Sequence, residues 1–198
     1  MSELARLGVA TVYEASGRHG LIDADLVQIV PGSRCAGPAR VALCGQADNL
    51  AVHAVMADLQ PGEVLVLTMP EPAPVALLGD LLATQAKVHG AAGVLVDAAV
   101  RDVEELAELG LPVWARWVRV RGADKRHHGW LDVPVMVGGV EIRPGDIVVM
   151  DADGACVVAA ERAGEVLAAA REREENERVK REKLQAGALS YDLDGLRP

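Results

Sequence analysis

Apolar and polar positions along the chain fall into two patterns, one typical of covered strands and one typical of helices. Val64–Thr68 is almost entirely apolar and Gly93–Asp97 is similar, which predicts strands that are covered on both faces. Between them, apolar residues at helical spacing predict a helix from about Asp80 to His89, which ends at Gly90. Further helices are predicted over 4–16, 49–58, 102–109 and 161–186, and further strands over 27–30, 39–43 and 112–117.

The later part of the chain changes to short strands joined by tight turns. Gly-Gly, Pro-Gly and Asp-Gly pairs separate short apolar runs, and such pairs favour β-hairpins. These runs cover 133–137, 140–142, 146–150 and 156–160, after a polar and basic loop over 118–132. We therefore predict the α/β class: a single compact domain over 1–198 with mixed β-sheets, flanking helices and a long C-terminal helix.

The composition narrows the class of protein further. With 51% hydrophobic and 25% charged residues, the 198-residue chain is globular rather than disordered. Acidic residues outnumber basic ones by 29 to 20, so we expect no nucleic-acid partner. No apolar run approaches the roughly 20 residues that cross a bilayer, so no membrane partner is expected. Met1–Arg6 lacks the pattern of a secretory signal, and Cys35, Cys44 and Cys156 lack metal-ligand spacing; we expect free thiols and a cytoplasmic protein.

Candidate chemistry begins at the start of the helix over 80–89. Gly79 precedes this helix, and the backbone amides of Asp80, Leu81 and Leu82 have no partners within it. Together with the helix dipole, these amides can hold a small anion such as a carboxylate. The alternative is that Gly79 ends the loop and Asp80 favours the positive helix end, with no ligand bound.

A second candidate group follows the strand over 93–97. Arg101 and Asp102 stand in the loop after it, and loops at strand ends in α/β domains commonly carry binding groups. Asp102 also has a structural explanation, because with Glu105 three residues later it resembles a capping box. Together, these amide donors, the guanidinium and the two carboxylates are the groups needed to bind a 2-oxo acid and a metal ion.

The spacing of these residues resembles a known family. An aspartate at 80, a twenty-residue gap and an Arg-Asp pair at 101–102 are similar to the signature of the class II pyruvate aldolases. These are the 4-hydroxy-4-methyl-2-oxoglutarate and 4-carboxy-4-hydroxy-2-oxoadipate aldolases, which share the fold of the regulator of ribonuclease activity A. Further similar segments are Thr11–Arg18, Cys35–Ala39, Pro144–Val148, Arg173–Glu177, Leu184–Gly187 and Tyr191–Arg197, so the resemblance extends over nearly the whole chain.

The resemblance implies a fold and a division of chemical roles. The fold would be an α-β-β-α sandwich, and Asp102 would bind a Mg²⁺ or Mn²⁺ ion. The amides of Gly79–Leu82 would hold the substrate carboxylate, and Arg101 would face the keto oxygen. Asp80 would position a water that exchanges protons with the substrate hydroxyl and the enolate carbon. When the C3–C4 bond breaks, pyruvate would be released as its enolate, with negative charge on the former keto oxygen. The metal ion and the Arg101 guanidinium would stabilise this charge.

The resemblance also implies a site completed between subunits. Glu14 and Glu177 match acidic positions that reach the metal waters of a neighbouring subunit in the aldolases, and segment 161–198 would contact that subunit. A homotrimer or homohexamer is then required. Alternatively, Glu14 is a charge on a helix surface, and Glu177 pairs with Arg181 four residues later.

The expected function is metal-dependent cleavage of a 4-hydroxy-2-oxo diacid to pyruvate and a second oxo acid, with oxaloacetate decarboxylation as a side activity. A protein-binding regulator of an RNA-processing ribonuclease is the alternative, and action on an unrelated oxo acid is a third possibility. The loop over 69–78 and the segment Trp114–Trp117 are expected to line the pocket beyond the pyruvyl group. His127 and His128 are expected at the surface.

Overall fold

A nine-stranded mixed sheet forms the centre of the protein in a computed structural model that describes residues 2–197. The strands are β1 (Val27–Gln28), β2 (Cys35–Leu43), β3 (Val64–Thr68), β4 (Ala76–Leu78), β5 (Gly93–Val100), β6 (Val113–Val118), β7 (Trp130–Leu131), β8 (Val135–Val137), β9 (Val140–Ile142), β10 (Ile147–Asp151) and β11 (Gly154–Val158). The helices are α1 (Ser2–Leu7), α2 (Val9–Ala15), α3 (Leu50–Val55), α4 (Asp80–Val88), α5 (Val103–Leu109), α6 (Ala163–Gln185) and α7 (Ser190–Leu193). The main strand order is β1-β6-β5-β3-β2-β10-β11, while β8 and β9 form a separate hairpin.

The sheet and helices form four layers around three clusters of buried apolar side chains. Helices α3, α4 and α5 cover one face of the parallel strands β2, β3, β5 and β6. The other face of these strands packs against β10, β11 and the β8–β9 hairpin. Helices α1, α2 and α6 cover the far side of β10 and β11. This arrangement confirms the predicted α/β class with a mixed sheet, flanking helices and a long C-terminal helix.

The predicted helix over 4–16 is two helices, α1 and α2, with a break at Gly8. Gly8 has φ +85, which lies in the left-handed region that favours glycine. The buried carboxylate of Asp151 accepts a hydrogen bond from the backbone N–H of Val9 at 2.8 Å. Asp151 therefore satisfies a free amide at the start of α2, and this tertiary contact ends the continuous helix.

Strand β4 is an element that the sequence pattern did not predict, since the prolines at 70, 72 and 74 indicated only an irregular loop. It is three residues long and pairs parallel with β5, with Leu78 opposite Val100. A short strand gains most of its stability from pairing and burial, and all three of its residues are buried. Because parallel strands end at the same edge, β4 brings the residues after Leu78 beside those after Val100.

The C-terminal part of α6 extends away from the core. Val166 and Ala170 are the buried residues of this helix, and no residue from 171 to 197 is buried. Apolar side chains are nevertheless exposed there, at Leu184, Leu189, Tyr191, Leu193 and Leu196. No helix within residues 2–197 is both long and apolar enough to cross a membrane.

Candidate active site

The two segments that the sequence singled out meet at one edge of the sheet. Gly79 and Asp80 follow β4, and Arg101 and Asp102 follow β5. The backbone N–H of Arg101 donates to the carbonyl of Leu78 at 3.1 Å, which continues the pairing of the two strands by one step. The structure therefore brings the pair Gly79–Asp80 beside the pair Arg101–Asp102, although twenty residues separate the two pairs in the chain.

Gly79 allows an unusually close approach between the two segments. A Cβ at this position would lie closer than 3.0 Å to Asp102 Oδ2 and 3.2 Å from Arg101 Nε. The Gly79 backbone has φ −136, an extended conformation that any residue adopts. Glycine is therefore required here for space rather than for backbone freedom, and the space is occupied by the candidate metal ligand.

Asp102 has a left-handed backbone, with φ 59 and ψ 46. Such a conformation is uncommon for a residue other than glycine, and strained residues of this kind cluster at functional sites. Its side chain makes no capping hydrogen bond to α5, so the capping box with Glu105 is not formed. The carboxylate instead accepts a hydrogen bond from the backbone N–H of Asp80 at 3.2 Å and lies 3.4 Å from Arg101 Nε.

The start of α4 leaves two backbone amides for a ligand. The N–H of Asp80 is occupied by Asp102, and the N–H of Ala83 donates to the carbonyl of Gly79. The amides of Leu81 and Leu82 have no partner among residues 2–197. A carboxylate at this helix end would therefore meet two amides and the positive end of the helix dipole, beside the half-exposed Arg101 guanidinium.

These residues form one wall of a cavity of about 160 Å³. Leu78 to Leu82 and Arg101 line this wall, while Asp102 stands just behind it, in contact with Arg101 and the Asp80 amide. The opposite wall consists of Asn49 and His53 on or beside α3, together with the loop residues Gly122, Ala123 and Lys125. Two residues of the 69–78 loop, Ala76 and Leu78, line the cavity. No residue of Trp114–Trp117 is among the residues that line it, so the prediction for that segment is wrong.

Asn49, His53 and Lys125 are pocket residues that sequence reasoning did not identify. Asn49 is only 7% exposed; its Nδ2 donates to the carbonyl of Leu77 at 3.1 Å, and its Oδ1 has no partner among residues 2–197. Desolvation, followed by the positive charge of Lys125, lowers the pKa of His53 below its ordinary value of 6.5. Asn49 and His53 are four residues apart in a predicted helix, so the sequence could have indicated that they share one helix face. No feature of the sequence distinguished Lys125 from other surface lysines.

The donor set fits a hard divalent cation held largely by water and substrate oxygens. Both contacts of the Asp102 carboxylate involve Oδ2, and Oδ1 has no partner among residues 2–197. Residues 2–197 contain no group of three or more His, Cys, Asp or Glu side chains that could together hold a metal ion. A single carboxylate matches the preference of Mg²⁺ for one or two carboxylates, several waters and substrate oxygens, and it does not fit a fully protein-ligated metal.

Glu14 and Glu177 do not line the cavity of their own chain. Glu14 on α2 pairs with Arg18 at 3.1 Å. Glu177 on α6 pairs with Arg173 at 2.8 Å, so the predicted pairing with Arg181 is replaced by the partner on the preceding turn. Both pairs are partly exposed and of little energetic weight, and neither would prevent these carboxylates from meeting a second subunit.

The remaining titratable groups that the sequence raised lie away from the cavity. His127 and His128 are exposed, as predicted. Cys35, Cys44 and Cys156 are buried free thiols, and burial raises the pKa of each to about 12. Burial therefore disfavours a nucleophilic role for these thiols, because thiolate is the reactive form.

Comparison with known proteins gives relatives that carry two kinds of name. A Halalkalibacterium halodurans protein named "Putative 4-hydroxy-4-methyl-2-oxoglutarate aldolase" is 39% identical over 122 residues, which cover 62% of this chain and 58% of that protein. The crystal structure of Streptomyces coelicolor RraAS2, described as an unusual member of the RNase ES inhibitor RraA family, is 34% identical. The structural alignment has a TM-score of 0.79 and covers 91% of this chain and 94% of the RraAS2 chain.

The RNA-processing inhibitor RraA from Thermus thermophilis is also 34% identical, with a TM-score of 0.65, and covers 71% of this chain and 84% of its own. The alignment spans less than two thirds of the Halalkalibacterium relative. A family model described as "RraA-like: Aldolase/RraA" matches residues 9–157, which include the strand ends and both walls of the cavity. This protein therefore belongs to the RraA-like family of aldolases and RraA proteins.

Proposed function

We propose that this protein is a divalent-metal-dependent class II aldolase. It cleaves a 4-hydroxy-2-oxo diacid, of the 4-hydroxy-4-methyl-2-oxoglutarate or 4-carboxy-4-hydroxy-2-oxoadipate type, to pyruvate and a second oxo acid. Oxaloacetate decarboxylation is a side activity, because both reactions pass through the enolate of pyruvate. The aldolase name of a 39% identical relative supports the reaction class.

The observation that carries the proposal is the meeting of Asp80, Arg101 and Asp102 at the paired ends of β4 and β5. The Arg101 guanidinium and the free amides of Leu81 and Leu82 line one cavity. The Asp102 carboxylate, which is the proposed metal ligand, lies behind this wall in contact with Arg101 and the Asp80 amide. The left-handed backbone of Asp102 supports a functional role, because a strained conformation at this point serves no helix cap.

Each wall residue has a distinct role in the proposed reaction. The amides of Leu81 and Leu82 bind the C1 carboxylate of the substrate. Arg101 donates to the C2 keto oxygen, where negative charge develops as the C3–C4 bond breaks. When bound, Mg²⁺ or Mn²⁺ acts as a Lewis acid at the same oxygen, and Asp102 is the side chain that would hold it. Asp80 positions a water that takes the proton of the C4 hydroxyl and returns one to the enolate carbon.

We also propose that the site is completed by a neighbouring subunit in a homotrimer or homohexamer. Leu81 is 79% exposed although it lines the cavity, so the mouth is open on that side. The unburied C-terminal segment 171–197 carries exposed apolar side chains and Glu177, which favours contact with another copy. Glu14 and Glu177 of the neighbour would then reach the metal waters, and sedimentation of the purified protein tests this assembly.

The decisive experiment measures pyruvate release from oxaloacetate and from a panel of 4-hydroxy-2-oxo acids, with and without Mg²⁺ or Mn²⁺. We expect Asp102→Ala to abolish the metal-dependent rate and Arg101→Ala to lower it on the order of 10²-fold or more. Glu104→Ala is the matched control, since Glu104 is an exposed carboxylate on α5 two residues away. Undiminished turnover in Asp102→Ala would remove the proposed metal role.

A second candidate function is inhibition of an RNA-processing ribonuclease by protein contact. The 34% identity to two solved RraA structures favours it. This activity would not depend on the cavity, so Asp102→Ala should inhibit a purified RNase ES-type enzyme as well as the unaltered protein does. Inhibition of that kind, with no turnover of any 2-oxo acid, would establish the second function in place of the first.

A further inference from the structure

The second wall of the cavity depends on a loop with almost no regular structure of its own. Residues 119–129 connect β6 to β7, and nearly all of them are exposed. The loop nevertheless supplies Gly122, Ala123 and Lys125 to the cavity. A Cβ at Gly122 would lie 3.1 Å from Arg101 Nη1, so the loop also passes directly over the catalytic guanidinium. Its position therefore affects both walls.

A buried carboxylate joins this loop to the start of α3, beside a pair of backbone hydrogen bonds. Asp48 is 0% exposed, and its Oδ2 accepts hydrogen bonds from the backbone N–H groups of Arg126 at 2.6 Å and His127 at 3.2 Å. Its Oδ1 accepts from the N–H of Leu50, the first residue of α3, at 2.9 Å. Hydrogen bonds to an ionised and desolvated acceptor are among the strongest in proteins. This side chain therefore holds Arg126 and His127 of the loop against the helix that carries His53.

The backbone around Asp48 is shaped for this contact. Asn49 N–H donates to the carbonyl of Asp124 at 2.8 Å, and Asp124 N–H donates to the carbonyl of Ala47 at 2.9 Å. Ala47 has φ +56, a conformation that alanine rarely adopts and that surrounding contacts must sustain. A Cβ at Gly45 would lie 2.8 Å from His127 Cβ, so the turn and the loop are in direct contact.

We propose that Asp48 is a positioning residue that clamps residues 126–127 of the 119–129 loop onto the start of α3 and so sets Lys125 and Asn49 beside the substrate. This inference rests on the proposed function for its consequence in catalysis. Asp48 touches no reacting atom; it acts through the loop that it holds. Without the clamp, the part of the loop around Arg126 and His127 is released and Lys125 moves away from His53. The Ala76 N–H still donates to the carbonyl of Arg121 at 2.7 Å, so the part of the loop beside Arg101 stays in place.

Two variants disturb the clamp in different ways. Asp48→Asn keeps the shape of the side chain but places an amide group opposite backbone N–H donors, so at least one hydrogen bond is lost. Gly45→Ala leaves Asp48 intact and pushes on His127 instead, and Gly45 has no positive φ that alanine would strain. The matched control is Asp146→Asn, because Asp146 is another buried carboxylate with two backbone N–H partners, Arg143 and Ala160, outside this cavity.

The experiment compares native trypsin cleavage, the His53 titration and oxaloacetate turnover in these variants. We expect Asp48→Asn and Gly45→Ala to raise cleavage after Lys125 and Arg126 at least tenfold, with cleavage within α6 unchanged. NMR should show the His53 pKa rising toward its ordinary value, and kcat/KM should fall about tenfold. Asp146→Asn should leave all three readouts near those of the unaltered protein.

Each other outcome has a definite meaning. If both variants are cleaved at the loop as slowly as the unaltered protein, the proposed clamp is wrong. It is also wrong if cleavage becomes faster while kcat/KM and the His53 pKa stay unchanged. A general rise in cleavage along the chain would assign Asp48 a role in overall stability and also overturn the proposal. If the unaltered protein turns over no oxo acid, the proposed function fails, while cleavage and the His53 titration still decide whether Asp48 positions the cavity wall.

Discussion

Replacing Gly79 by alanine tests whether catalysis needs the close approach between α4 and Asp102. The added Cβ would lie closer than 3.0 Å to Asp102 Oδ2 and 3.2 Å from Arg101 Nε. Since non-bonded heavy atoms rest at about 3.5 Å, the carboxylate must move by on the order of 1 Å. The same movement lengthens the 3.2 Å hydrogen bond from the Asp80 amide. The extended backbone of Gly79 accepts alanine without strain, so the effect falls on the site rather than on the fold.

The magnitude follows from this displacement. Misplacing a group at a reacting centre by about 1 Å lowers the rate roughly 10²-fold, which corresponds to about 2.7 kcal/mol. We expect Gly79→Ala to lower kcat/KM for oxaloacetate by about that factor in an assay coupled to pyruvate reduction. The free energy of unfolding, measured with urea, should change by less than about 1 kcal/mol.

The control is Gly164→Ala, because Gly164 lies in α6, has no positive φ and would bring its Cβ near nothing within 4 Å. It should retain full activity and a stability at least equal to that of the unaltered protein. If Gly79→Ala retains the kcat/KM of the Gly164→Ala control, Asp102 has no role that depends on its position. A loss of activity that merely follows a loss of folded protein would also count against the reasoning.

Two further predictions concern titratable groups. The folded protein lowers the pKa of His53, so it disfavours the protonated imidazole. The free energy of unfolding should therefore be highest above pH 6.5 and should fall as the pH drops through the pKa of His53 in the folded state. NMR titration of Lys125→Ala should show that the His53 pKa rises only part of the way to 6.5, because desolvation is the larger cause of the shift. A fall in the His53 pKa would contradict the proposed effect of the Lys125 charge. Cys35, Cys44 and Cys156 should not react with Ellman's reagent at pH 8 until the protein unfolds, because burial raises each pKa to about 12; fast reaction of the native protein would show that a thiol is accessible.

Local pattern predicted several elements well because their signal lies within a few residues. The apolar run of β3, the helix α4 with its end at Gly90, and the hairpin strand β9 all occur close to the predicted bounds. In these elements short-range chemistry, such as a glycine with φ +86 after a helix, needs no distant partner. The candidate set Asp80, Arg101 and Asp102 was identified in another way, from positions at a helix start and a strand end together with the resemblance to the class II pyruvate aldolases.

The sequence by itself determined the α/β class, the order of most elements and the two segments, around Asp80 and Arg101, that form the first wall of the candidate site. Only the tertiary structure decided that β4 forms beside β5, that Asp102 faces Asp80 instead of capping α5, and that Asn49, His53 and Lys125 build the second wall. The physical reason is the range of the forces involved. A three-residue strand and an exposed loop have no preferred conformation of their own, so pairing with β5 and the buried carboxylate of Asp48 fix them.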